Sequence, residues 1–241
     1  MKLQRPALSV ALCAVAVLGP AACSGGGEDG PFSGLSGAEV LDKALKTTKS
    51  ARSVTMDLDV TSDANRITGR VSLDRDARCN ASLSLAGQGS VDIIKEGRTV
   101  YLRSDEAFVR AQSKGDPKEQ VDAVVKVMKG KWIKSSVSDA DIRDLAGLCD
   151  LDELFKNFDE DEGSVERGPV TEAGGAKALT LTGKGADGSD NTALVATEGR
   201  PYLLKLAQKG GDEPSTVVFG DYNEAVDVRV PDRKEILDLE G

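Results

Sequence analysis

The chain has 241 residues, 31 basic and 40 acidic side chains, a formal net charge of −9 and no histidine. An acidic surface repels phosphate backbones, and no Arg/Lys-rich face with interleaved aromatics occurs, so nucleic acid is excluded as a partner. The lack of histidine rules out a Ser-His-Asp triad, a Cys-His pair and a His-ligated metal.

Lys2 and Arg5 give the N-terminus a positive start, Ala7 to Leu18 is an uncharged apolar run, and Pro20-Ala21-Ala22 precedes Cys23. That is the layout of a secretory signal peptide, with an apolar run too short to span a bilayer comfortably. A buried core helix is the weaker reading, because the Gly/Ser-rich stretch that follows offers nothing to pack against. Ala21 and Ala22 fit the small-residue pattern before the cysteine of a bacterial lipoprotein signal, although Pro20 stands where leucine is usual. Cleavage before Cys23 and lipidation of that cysteine are therefore expected, with the protein held on the extracytoplasmic face of the cell membrane. Each buried methylene contributes about 0.8 kcal/mol, so two or more acyl chains hold firmly. Removal of residues 1–22 leaves 29 basic against 40 acidic side chains, a net charge of −11.

Cys13 leaves with the signal and Cys23 becomes the anchor, so Cys79 and Cys149 remain. Outside the cytoplasm two such cysteines most often pair, and their spacing is neither C-x-x-C nor that of zinc ligands. A disulfide is predicted.

Residues 23–36 read as a flexible tether. Ser36 with Glu39 is a capping box, and Val40, Leu41, Ala44 and Leu45 then give one apolar helical face. From Ser53 the period becomes two. Val54, Met56, Leu58 and Val60 alternate with polar residues, followed by Ile67, Val71 and Leu73, then Ala81, Leu83 and Leu85, then Val91/Ile93 and Val100/Leu102, an antiparallel meander. Asp116-Pro117 opens a helix with Val121, Val124, Val125 and Met128 at helical spacing, ended by Gly130. Gly130-Lys131-Trp132-Ile133-Lys134 is a short extended piece. Ser138 opens a helix carrying Ile142 and Leu145, and Asp150 with Glu153 caps another carrying Leu151, Leu154, Phe155 and Phe158. The run Asp159 to Glu162 lacks the alternating ligand spacing of a calcium loop and reads as a solvated turn. Alternation returns in Leu179/Leu181, Leu194/Ala196, Tyr202/Leu204/Leu206, Val217/Phe219 and Val226/Val228/Val230.

The predicted fold is α+β: a strongly curved antiparallel half-barrel of about ten strands with helices across its concave face. It forms a single domain, residues 37–236, between the tether and a polar tail, 237–241. The order of signal, cysteine, helix, meander, Gly-Lys-Trp-Ile-Lys segment, helices and second meander resembles the LolA-like actinobacterial lipoproteins. So does the closing run from Val217 through Phe219-Gly220-Asp221-Tyr222 to Val226-Asp227-Val228-Arg229-Val230-Pro231. The resemblance, which spans most of residues 36–235, implies kinship with the LppX/LprG group of lipid carriers. It implies a lipid or acylated ligand, and a membrane transporter or envelope protein as partner.

No Ser-x-x-Lys, Gly-x-Ser-x-Gly or phosphate-binding loop occurs, so no catalytic set, cofactor or metal is expected. A curved sheet closed by helices can enclose an apolar cavity. Its candidate lining is Val54, Met56, Leu58, Ile67, Val71, Leu73, Leu83 and Leu85 from the sheet. Facing them are Val124, Val125, Met128, Leu154, Phe155 and Phe158 from the helices. The same residues also fit a filled core, in which case the protein is a surface adaptor or sensor for a protein partner.

Overall fold

A computed structural model describes residues 31–62, 65–139, 142–155, 164–211 and 213–237. The signal peptide, Cys23, Phe158, the acidic run Asp159–Glu162 and the end of the polar tail lie outside these residues.

Helix α1 (Gly37–Lys49) starts where the capping box predicts. The Ser36 amide donates to Glu39 Oε2 at 2.7 Å and the Glu39 amide to Ser36 Oγ at 3.3 Å. Its buried stripe is Val40, Ala44, Leu45 and Thr48. A meander follows: β1 (Ser53–Ser62), β2 (Asn65–Asp74), β3 (Arg78–Leu85), β4 (Gly89–Glu96) and β5 (Thr99–Ser104). Helices α2 (Glu106–Gln112) and α3 (Lys118–Met128) lead into β6 (Ile133–Ser136), then α4 (Arg143–Gly147) and α5 (Leu151–Leu154). The second meander is β7 (Val165–Ala173), β8 (Ala176–Lys184), β9 (Asp190–Ala196), β10 (Leu203–Lys209) and β11 (Ser215–Gly220).

Among the described residues the eleven strands form one antiparallel sheet in the order β6-β5-β4-β3-β2-β1-β11-β10-β9-β8-β7, not closed into a barrel. The two meanders are joined by β1 and β11, with Met56 opposite Phe219 and Leu58 opposite Val217. This is the predicted α+β half-barrel. The main core lies on its concave face, under α1, α4 and α5. Cys79 of β3 is bonded to Cys149, with Cα atoms 5.5 Å apart, and pins the α4–α5 segment to the sheet.

Three expectations change. Val226, Val228 and Val230 form no strand: residues 221–237 run as a strap that begins at Ser53, where the Asn223 amide donates to the Ser53 carbonyl. The strap ends beside Trp132, in a parallel bridge to Ile236. Val228, Val230 and Ile236 pack there on Ile94, Tyr101 and Trp132, side chains of opposite parity to the concave Ile93 and Val100. Second, the second meander starts one strand before the alternation read at Leu179/Leu181: β7 carries no clean alternation, because Gly168 and Pro169 sit in a register shift between Arg167 and Val170, a common edge-strand feature. Third, the expected tether does not stay loose as far as residue 36. Phe32 is 3% exposed and belongs to the main core. Arg167 Nη1 donates to the Phe32 and Leu35 carbonyls at 3.2 and 2.8 Å.

Candidate functional site: an unevenly covered apolar floor

The pairing registers put alternate hairpin ends together. One end of the sheet carries Ser62/Asn65, Leu85/Gly89, Ser104, Lys184/Asp190, Gln208/Ser215 and the start of β7. The opposite end carries Ser53/Asp74, Arg78/Glu96 and Ala173/Ala176. The first is called the near end and the second the far end.

At the far end the concave face is closed. Val54, Met56, Val71, Leu73, Ala81, Ile93, Val100 and Phe219 are all buried. Leu151 and Phe155 lie over them, with Phe155 stacked 6.1 Å from Phe219. The disulfide holds this cover in place, and the Lys95 ammonium, itself buried, donates to the Cys149 carbonyl at 3.0 Å. A cation is favoured at that position, close behind the C-terminus of α4.

Toward the near end the same strands present Leu58, Ile67, Leu85, Leu102, Leu206 and Val217 on the same face, and all six are only half-buried. Leu83 and Val91 remain buried. Gly69 adds no side chain to the floor, and a Cβ there would lie 2.3 Å from the Ser82 carbonyl oxygen. Beside α1 the floor deepens into a pocket of about 200 Å³. Leu41, Leu45, Val165, Leu181, Ala193 and Leu206 supply its apolar wall. Ser164, Lys184, Asn191, Gln208 and Ser215 supply its polar rim. The wall is tight on the helix side, since a Cβ on Gly37 would lie 2.3 Å from the Val165 carbonyl oxygen. A small inward residue, Ala193, leaves the space, while Gly183 beside it admits the Ser164 backbone, whose carbonyl oxygen would lie 3.0 Å from a Cβ there.

The candidate lining therefore divides. Val54, Met56, Val71, Leu73 and Leu83 are filled core, as is Phe155, while Leu154 packs partly buried against that core. Leu58, Ile67 and Leu85 lie on the half-covered floor. Val125 and Met128 do not face the sheet core: they pack with Val109 and Val121 in a separate cluster between α2 and α3. Val124 is 43% exposed. The pocket wall went unread because β7 does not alternate and because the parity of the second meander is broken. A bulge between Leu203 and Lys205 turns both Leu203 and Leu206 inward. In β9 the buried pair is Ala193 and Val195 rather than Leu194 and Ala196 as a pair. The only sequence sign was the small residues in otherwise β-forming segments.

The far corner of α1 closes with a polar cluster. Leu203 donates its amide to Thr48 Oγ1 at 3.0 Å, and Tyr222 donates its hydroxyl to the Leu203 carbonyl at 2.6 Å. Tyr202 stacks on Tyr222 with centroids 4.1 Å apart. Burial holds the Tyr222 phenol well above its ordinary range, against the lowering influence of the Thr48 hydroxyl.

The architecture is an open half-barrel whose concave face is partly roofed by α1 and by the disulfide-held helices α4 and α5. The chain is similar to the Mycobacterium tuberculosis lipoprotein LppX, at 12% identity and a TM-score of 0.51, over 79% of this chain and 96% of that one. It is similar to LprF from Mycobacterium bovis, at 11% identity and a TM-score of 0.53, over 81% and 96%. The chain has the fold of these proteins, as the sequence resemblance implies. No family model matches the sequence, and no curated protein does.

Proposed function

We propose that this protein is an extracytoplasmic lipoprotein, anchored through Cys23, that binds a lipid or acylated ligand with its apolar chain along the near half of the concave face. The observation that carries the reading is the uneven cover of one continuous apolar floor. Six large apolar side chains stay half in solvent and lead to a pocket whose rim is polar. Water-exposed apolar surface of this extent costs free energy that a hydrocarbon chain would recover at about 25 cal/mol per Å². The polar rim suits the point where such a chain meets its headgroup. The shared fold with a lipoprotein supports the anchor and the location outside the cytoplasm. Binding and carriage, rather than catalysis, is the activity we assign.

The test is mass spectrometry of an organic extract of the protein purified from its native host. Stoichiometric lipid is the expected result, and it should fall away in Ala193→Phe, which fills the pocket. A clean extract from the folded wild type would reject the carrier and leave the adaptor reading.

A further inference from the structure

The near end gathers more than the pocket. The chain leading to Cys23 enters the domain there, since Gly37 abuts Val165 and Arg167 holds Phe32 and Leu35. Seven residues lie between Cys23 and Pro31, eight chain steps with a reach of at most about 28 Å. The helical excursion α2–α3 leaves the near end of β5 after Ser104 and returns at Ile133, opposite Leu102. Asp105 caps it by accepting from the Phe108 amide at 2.7 Å.

The excursion as a whole is nearly balanced in charge, with exposed Glu119 and half-buried Asp122 in the first half of α3, but its last stretch departs from the rest of the chain. Residues 123–134, AVVKVMKGKWIK, carry four lysines and no acidic residue in a protein of net charge −9. Lys126, Lys129 and Lys134 are exposed, and among the described residues none of the three forms an ion pair. Val121 and Val125 face α2, whereas Val124 and Val127, one turn apart, are 43% and 55% exposed beside exposed Ala123. Two exposed valines alone would be ordinary surface. Joined to lysines that form no ion pair among the described residues, at the end that holds the tether and the pocket mouth, they make a basic amphipathic element of the kind that lies in a bilayer interface.

We infer that the near end docks on an anionic phospholipid surface, with Lys126, Lys129 and Lys134 on the headgroups and Val124 and Val127 entering the interface. The docked pose holds the pocket mouth toward the membrane. It rests on the carrier reading above and deepens it: an acidic domain approaches an acidic surface through its acid-free stretch, residues 123–134.

The experiment uses the unlipidated chain from residue 24, which retains every described residue, in co-sedimentation with phosphatidylglycerol/phosphatidylcholine vesicles. Wild type should bind these vesicles, release in high salt and ignore pure phosphatidylcholine. Each lysine near such a surface is worth about fivefold, so Lys126→Glu/Lys129→Glu/Lys134→Glu should weaken binding by about 100-fold or more, while the triple arginine variant should bind as wild type does. Val124→Asp/Val127→Asp should weaken it independently. Absence of binding, equal binding to phosphatidylcholine, an unaffected charge-reversal variant, or retention on an acidic polypeptide but not on vesicles would each overturn the docking. A protein that carries lipid yet ignores vesicles overturns the docking alone. One that binds vesicles but gives a clean extract overturns the carrier reading alone.

Discussion

Phe32 separates a tether that merely connects from one that is built into the domain. Its side chain is 3% exposed within the main core, and Arg167 fixes the backbone at and after it through the Phe32 and Leu35 carbonyls. Truncating a buried phenylalanine removes its transfer free energy and leaves a cavity, together about 3–5 kcal/mol. A phenylalanine in a loose linker would cost no more than about 0.5 kcal/mol. For a domain of this size each kcal/mol moves the thermal midpoint by about 2–4 °C, so Phe32→Ala should lower Tm by roughly 10 °C. Phe32→Leu keeps most of the volume and should lose less than about 1.5 kcal/mol. Calorimetry or thermal circular dichroism of the three proteins side by side decides the matter. A Phe32→Ala midpoint within about 1 °C of wild type would refute the reasoning, and with it the claim that the tether enters beside the pocket.

Two other perturbations address the far end. Replacing Cys79 and Cys149 together by alanine opens a loop with a sequence separation of 70, which chain entropy values at about 4 kcal/mol; urea denaturation should show that loss, and one below about 1 kcal/mol would mean that packing alone holds α4 and α5. Tyr222 should make the fold sensitive to alkali. Its phenol pKa is raised in the native state by burial, so folded and unfolded chains are both protonated through neutral pH and stability is flat there. Above about pH 10 the unfolded chain loses its proton first, and stability should fall by about 1.4 kcal/mol per pH unit up to the native value. Denaturation midpoints between pH 9 and 11.5 should show this slope in wild type and a shallower one in Tyr222→Phe.

How legible was this in the sequence? Where a local rule and the tertiary environment agree, the reading carries through. Ser36 and Glu39 start α1 because both partners of the capping box lie within one turn. The first meander reads cleanly because β1 to β5 each keep one face on the core. The cysteine pair follows by subtraction, without geometry. Failures came where periodicity reports a face but not a partner. Val226, Val228 and Val230 alternate because one side of the strap lies on the convex face, yet no ladder joins it to the sheet. In β10 a bulge breaks the period. Helix α2 has seven residues and one buried side chain, Val109, too little to register as a pattern. Phe32 sits among Gly and Ser, so composition hides a residue whose carbonyl is held by Arg167, 135 positions away.

The unequal cover of the concave face follows from element lengths. β1 and β2 are ten residues each, about 33 Å of floor. Helices α4 and α5 have five and four residues, roughly 8 and 6 Å, and the disulfide ties them to the start of β3 at the far end. They cannot roof both ends. Only α1, thirteen residues and about 20 Å, runs the length of the sheet, and it does so over the second meander. What stays half-covered among the described residues is the near half of the floor between these roofs, with the pocket where α1 meets Gly183 and Ala193. A core built for stability alone would place bulk at Ala193, because a void costs its lining the lost contacts, whereas Gly183 is held small by the Ser164 carbonyl 3.0 Å from where its Cβ would lie. Keeping alanine at 193 gives up that stability, and a guest chain that fills the space restores it only while bound. Lipid occupancy should therefore raise the melting temperature of the wild type and leave that of Ala193→Phe unchanged.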